Sequence, residues 1–266
     1  MRKYLGFFLL EWRRVGEFRL DFLLYWVEPL FRTAIVLLFW KAVLEGGGTS
    51  VGGALGLPAF IGLILVSRVV ALPLQNGERI AGAMEGPVLS GAMTAVLCRP
   101  VHPVWMNLTR IAVDYFRLGG FSLLLLAFGG LIAHALFGFT VLDLSAGHFV
   151  PFFASLLMGY LIHYFLYTAL GLMSFWIGHV WSLLYIVTVL NMFLAGYLFP
   201  LEWVPWVDRL SRYLPFRYTS YSPAALLLGR ESGGELARQG LMLLACMAVT
   251  LCIHRWALRR FEANGG

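Results

Sequence analysis

Lysine is nearly missing from this chain: Lys3 and Lys41 are the two it has, and neither follows the glycines of a Gly-x-x-x-x-Gly-Lys-Ser/Thr loop. The chain therefore carries no phosphate-binding loop of its own, and any ATP that serves it is hydrolysed elsewhere. Charge of either sign is also scarce, at 13% of residues. A soluble domain carries about a quarter, so a free soluble fold is excluded. Cysteine is limited to Cys98, Cys246 and Cys252, an odd number without the close spacing of a zinc or redox motif, and neither a disulfide nor a metal site is expected. No Gly-x-Ser-x-Gly is present, and Ser155 upstream of His163 makes no nucleophile motif. No repeat of fixed period runs through the chain, which argues against the duplicated folds of many secondary transporters. A cleavable leader is not expected, because Glu11, Arg13 and Arg14 interrupt the first apolar stretch.

What is abundant is apolar surface: 60% of residues are hydrophobic, 15% are aromatic, and mean hydropathy is +0.78. Several apolar runs are long enough to cross a hydrocarbon core of roughly 30 Å. The pattern predicts an all-α polytopic membrane protein. Residues 1–20 form an interfacial amphipathic helix, with Leu5, Phe8, Trp12 and Val15 on one face and Glu11, Arg13, Arg14 and Glu17 elsewhere on the wheel. A transmembrane domain over 21–266 follows, with six spans at 22–44, 57–74, 111–137, 149–175, 180–199 and 239–258.

The net charge of +6 comes almost wholly from arginine, and its distribution orients the chain. The connections 45–56 and 138–148 hold no lysine or arginine, whereas the N-terminal helix, the loop 75–110 and Arg255, Arg259 and Arg260 are basic. These basic parts, and both termini, are expected in the cytoplasm, facing anionic lipid and not nucleic acid. One segment breaks the rule: 200–238 is assigned outside yet carries Arg209, Arg212, Arg217, Arg230 and Arg238.

Inside the spans, ionisable residues are few and each is a candidate for function. Glu28 and Arg32 stand four apart with the acid first, and Arg110, Asp114 and Arg117 can pair in the same way. Arg68 has no acid nearby in sequence, so a partner from another helix, Glu28 or Asp114, is expected. His163 and His179 lack a carboxylate or cysteine at ligand spacing and read as neutral rings bonded between helices. The loop 75–110, with Gly77, Glu78, Arg79, Ile80 and Gly82, then Glu85, then Arg99 and Pro100, reads as short helical pieces broken by glycine and proline into a docking element. In 200–238, prolines at 200, 205, 215 and 223 divide the chain into pieces of one to three turns. Trp206, Leu210 and Tyr213 share a face there, and Trp203 and Trp206 read as interface anchors.

Taken together, the interfacial helix, six spans, the loop ending Leu97-Cys98-Arg99-Pro100-Val101, and the stretch Gly196-Tyr197-Leu198-Phe199-Pro200-Leu201-Glu202-Trp203-Val204-Pro205 with Leu214-Pro215-Phe216-Arg217-Tyr218 resemble the type-2 permeases of ABC exporters. The subgroup named after viologen and daunorubicin export is the nearest in appearance. The resemblance implies a second permease subunit, identical or paralogous, and two ABC ATPase subunits that carry the ATP and Mg; it implies no cofactor on this chain. It implies a bacterial inner-membrane location and a coupling role for Gly77, Glu78, Arg79, Ile80, Gly82, Glu85, Arg99 and Pro100. It also implies an outer gate or substrate path that includes Tyr197, Phe199, Pro200, Trp203, Phe216 and Arg217. A path lined by aromatic residues suits a hydrophobic or amphipathic cargo, such as a multidrug-efflux substrate, and aromatic faces accept cations. Two other readings use the same residues. One is an ATP-independent carrier with Glu28, Arg68, Asp114 and His163 as its polar path. The other is a membrane-embedded lipid-modifying enzyme with His163 or His179 as base.

Overall fold

The computed structural model describes residues 6, 8–12, 31–43, 57–137, 146–196 and 198–260, and among them every regular element is a helix. Residues 8–12 and 31–43 are helical. The remaining α-helices are α1 (Leu57–Ala71), α2 (Gly77–Leu89), α3 (Met93–Leu97), α4 (Pro103–Phe137), α5 (Phe149–Leu172), α6 (Ser174–Ile177), α7 (Trp181–Leu194), α8 (Pro205–Ser211), α9 (Arg217–Leu227) and α10 (Gly233–Arg260). Four stretches, Phe60–Leu89, Pro103–Ile132, Phe149–Ile177 and Gly233–Arg260, are long and apolar enough to cross a membrane, and Trp181–Leu194 is a shorter apolar helix. The expected interfacial helix 1–20 and the connections 45–56 and 138–148 fall largely outside the described residues, while the expected first span 22–44 is described, as helix, over 31–43.

Helix α5 stands at the centre, packed against α10, α9 and α2. Its contacts are close because glycine removes the side chain where backbones meet. A Cβ on Gly171 would stand 2.3 Å from the Ala81 carbonyl oxygen of α2. About 18 Å along the helix, a Cβ on Gly159 would stand 2.8 Å from the Tyr218 carbonyl oxygen of α9. Polar residues fill the remaining joints of α5. Gln239 of α10 donates to the carbonyls of Ser155 (2.8 Å) and Tyr218 (2.9 Å) and accepts from the Ser155 hydroxyl (2.7 Å). A buried amide satisfied on three sides ties α5, α9 and α10 together, which occupies Ser155 fully.

Two expected boundaries move. The second span does not stop at 74: a 3-10 turn (Leu72–Asn76) leads straight into α2, so the helical path runs to Leu89. Gly82, Gly86 and Pro87 do not break it. Their weak propensity is overridden by packing, with Gly77, Ile80, Ala81, Met84 and Glu85 buried against the far end of α5 and α6. The third span likewise begins at Pro103. The supposed loop 75–110 shrinks to the tip at 90–102.

The proline-rich segment is corrected in the other direction. Pro205 does open α8, but Pro223 lies inside α9, all of whose residues are buried. This helix folds back into the bundle against α5 and α1. Burial of its whole surface outweighs the hydrogen bond that an interior proline removes.

Candidate functional site

Helix 31–43 runs against α1 with Trp40 beside Phe60 (ring centroids 4.9 Å apart), and Trp203 closes on both, at 5.3 Å from Trp40 and 4.7 Å from Phe60. The Trp40 indole donates to the Leu198 carbonyl (3.3 Å), which pins the 198–204 segment over this aromatic end. An open apolar pocket of about 390 Å³ lies here, lined by Val36, Phe39, Trp40, Leu198, Phe199 and Trp203. Phe199 and Trp203 line this pocket, and Pro200 lies between them in the chain. Phe216 is buried in the core, and Tyr197 lies outside the described residues.

Deeper along the same helices is a second cavity of about 430 Å³, again bordered by Leu198. Its lining is polar for a membrane interior: Arg32, Arg68, Gln75, Glu78, Tyr167, Thr188 and Asn191. The Tyr167 and Thr188 hydroxyls are 3.3 Å apart. Arg68 is 8% exposed, and both it and Arg32 also interact within the chain. Glu28, named as a partner for either, lies outside the described residues.

Of the other expected pairs, Asp114 keeps Arg117 but not Arg110. Asp114 is 2% exposed and accepts from Arg79 (2.7 Å), with Arg117 at 3.7 Å. Arg110 turns instead toward Glu11 of the N-terminal helix (3.5 Å). Tertiary proximity prevails because α2 brings Arg79 to Asp114 from a different element. His163 is buried, with its Nδ1 2.9 Å from the Tyr115 hydroxyl of α4, so it is bonded between helices as expected. His179 instead meets Glu85 (3.3 Å), and the same carboxylate accepts the Val180 backbone N–H (3.1 Å), satisfying the start of α7.

The coupling candidates divide by exposure. Gly77, Ile80 and Glu85 are buried and Gly82 is partly so, while Glu78, Arg79, Arg99 and Pro100 are exposed. The tip they lead to, 90–102, carries α3 with only Met93 buried. At its edge the His102 ring stacks near His254 (centroids 4.5 Å), and burial lowers the pKa of His102 below its ordinary value.

The arginines of 200–238 have their own acids, a signal present in the sequence as Glu202, Asp208, Glu231 and Glu235 but unused in reading it. Arg217 is 1% exposed and donates to Asp208, to Glu231 (2.8 Å) and to Glu235 (3.3 Å), with its guanidinium 4.5 Å from the centre of the Tyr221 ring. Arg212 pairs with Asp208 (2.7 Å), Arg230 with Glu202 (3.3 Å) and Arg238 with Glu235 (3.5 Å). Four of the five arginines in this segment thus sit in ion pairs within it, while Arg209 is exposed on α8.

No curated protein matches the chain. Among the described residues the chain is thus an all-helical bundle with apolar spans, a partly polar cavity lined by helix 31–43, α1, α2, α5 and α7, and a helical path ending in an exposed tip. The profile described as "ABC-2 family transporter protein" matches residues 30–265, and the chain belongs to that family of membrane-spanning transporter permeases.

Proposed function

We propose that this permease is the transport subunit of an ABC exporter driven by ATP and Mg on two separate ATPase subunits, and that it acts beside a second permease, identical or paralogous. The observation that carries the reading is the helical path Phe60–Leu89, α1 and α2 joined by the 3-10 turn Leu72–Asn76, which leads from the wall of the polar cavity to the exposed tip at 90–102. A continuous helical path gives an ATPase docked at the tip a mechanical hold on the cavity. The surface for docking is the exposed set of Glu78, Arg79, Arg99 and Pro100 together with α3. Gly77, Ile80 and Glu85 act one step inward, as the packing that transmits the motion. The aromatic end, with Phe199, Pro200 and Trp203, is the outer gate, and Arg217 holds the helices behind it. In this arrangement the tip and both termini lie in the cytoplasm of a bacterium whose inner membrane holds the complex, and an amphipathic cargo moves outward.

Co-purification tests the reading. A tagged chain brings down an ABC ATPase from detergent-solubilised native membranes, and Arg99→Glu abolishes that recovery without altering the yield of folded permease. A wild-type chain that never recovers an ATPase overturns the proposal. An ion gradient driving transport by the chain alone in vesicles would establish the carrier reading instead.

A further inference from the structure

The helical path from Phe60 to Leu89 changes its winding at one joint. Leu72–Asn76 is a 3-10 turn of five residues between α1 and α2, and it carries Pro73, which has no N–H to continue the hydrogen-bond ladder of α1. Runs of 3-10 helix longer than three or four residues are uncommon, and one set inside an α-helical path often marks a hinge. Ala71 before the turn (φ −74°, ψ −14°) and Gly77 after it (φ −56°, ψ −43°) are helical, whereas Asn76 stands at φ −91°, ψ 16°. A bond is also missing at Asn76. It precedes the first residue of α2, a position from which an asparagine oxygen ordinarily accepts the second or third N–H of the helix. Here it makes no such bond, and its side-chain oxygen and nitrogen are both enclosed without a partner. A buried amide with nothing to bond costs free energy, so the present winding carries a cost that another winding removes. Turning α2 away from the 3-10 turn frees its first N–H groups and lets the Asn76 oxygen accept from Glu78 or Arg79. The joint also borders the polar cavity: Ala71, Leu72, Leu74, Gln75, Gly77 and Glu78 line it. The Tyr167 ring of α5 rests on Gly77, 2.3 Å from where a Cβ would stand, and the Tyr167 hydroxyl links the joint to Thr188 of α7 (3.3 Å).

We infer that Leu72–Asn76 is a hinge with two windings. In the one described, α1 runs on into α2 and the Asn76 amide is unbonded; in the other, the path bends, Asn76 caps α2, and α2 swings with the tip at 90–102 against the cavity wall. The hinge stands on the geometry of the joint, while the use of its bending in transport rests on the exporter reading. Asn76 is a positioning residue, and the sign of its effect is diagnostic. A side chain that merely supported the present winding would be missed when removed. Here the present winding gains, because its removal takes away an unbonded buried amide and the bent form's cap together.

The test is hydrogen–deuterium exchange of the full chain in phosphatidylcholine nanodiscs, read by mass spectrometry on peptides from the joint (74–80), from α1 and from the second half of α2. Bending frees N–H groups in the first turn of α2. The joint peptide is therefore expected to exchange about tenfold faster than either flank, each rate taken relative to the same peptide unfolded. Asn76→Ala is expected to slow the joint by about fivefold and leave the flanks unchanged, the population change that the loss of one cap produces, whereas Asn76→Ser, which can still cap, keeps the fast exchange. Should Asn76→Ala fail to fold, Pro73→Ala, which restores an N–H to the ladder, is expected to slow the same peptide. A joint protected as well as its flanks overturns the hinge. Exchange in Asn76→Ala as fast as in the native chain, or faster, overturns the pair of windings, and so does unchanged exchange in Pro73→Ala where the first variant does not fold. No ATPase enters the assay, so a failure here leaves the ATPase-driven reading standing, and an absent ATPase leaves the exchange result standing.

Discussion

The segments 75–110 and 200–238 look alike in sequence, each a run of glycines, prolines and arginines between apolar stretches, and they fold in opposite ways. The first is drawn out: its beginning continues α1 into α2, its end opens α4, and the tip at 90–102 is left exposed with Met93 alone buried. The second is drawn in: α9 is buried throughout, and Arg217 is surrounded by Asp208, Glu231 and Glu235. The difference lies in the supply of acids. Arg217 has three carboxylates within reach, so it can leave water, whereas Arg99 has a thioether contact to Met106 and stays at the surface.

Four experiments bear on this contrast, and the first carries the largest effect. Arg217→Ala removes the buried cation shared by Asp208, Glu231 and Glu235, leaving Asp208 with Arg212 and Glu235 with Arg238 alone, and is expected to cost about 3–5 kcal/mol. Thermal unfolding in detergent reads this as a collapse of the folded fraction, and an unchanged midpoint would remove Arg217 as the anchor of the inward segment. Next come the two glycines of α5. Gly171→Val pushes against Ala81 of the outward segment and Gly159→Val against Tyr218 of the inward one, each costing about 1–3 kcal/mol through overpacking. If either is neutral in the same unfolding assay, α5 does not hold that segment at backbone distance.

Glu85 gives a third, intermediate effect. Glu85→Arg removes the acceptor for the Val180 N–H and is expected to lose about 1–3 kcal/mol, while Glu85→Gln keeps an acceptor and loses less. Comparable losses in both variants would point to charge, through His179, in place of the backbone contact. The smallest stability effect belongs to the tip, where Arg99→Glu should shift unfolding by no more than about 0.5 kcal/mol, as exposed substitutions do. A large shift would mean that the tip is packed, and the contrast between the segments would fail.

The family resemblance and the helical, membrane-spanning class were legible in the sequence because they rest on composition and on long apolar runs, which local chemistry alone decides. The low lysine content and missing phosphate loop needed no structure either. The path of the two irregular segments was not legible. Glycine and proline in 82–87 and at 223 lower local helix propensity, yet burial against α5 overrides it, and burial depends on residues far away in the chain. The grouping of Phe199, Pro200 and Trp203 was visible as a proline-aromatic cluster, but its partners Trp40 and Phe60 were not, since they come from two other helices. The same holds for Asp114, whose nearest guanidinium belongs to Arg79 and not to the arginines three and four residues away.

By itself, then, the sequence determined that this chain lives in a bilayer as helices and cannot hydrolyse ATP through a phosphate loop, because hydropathy and motif are properties of neighbouring residues. Tertiary structure alone decided which arginines line a cavity and which carboxylates gather around Arg217 in the core. An ion's role in an apolar medium is set by the charges within a few ångströms of it, and in this bundle helix packing determines which charges those are.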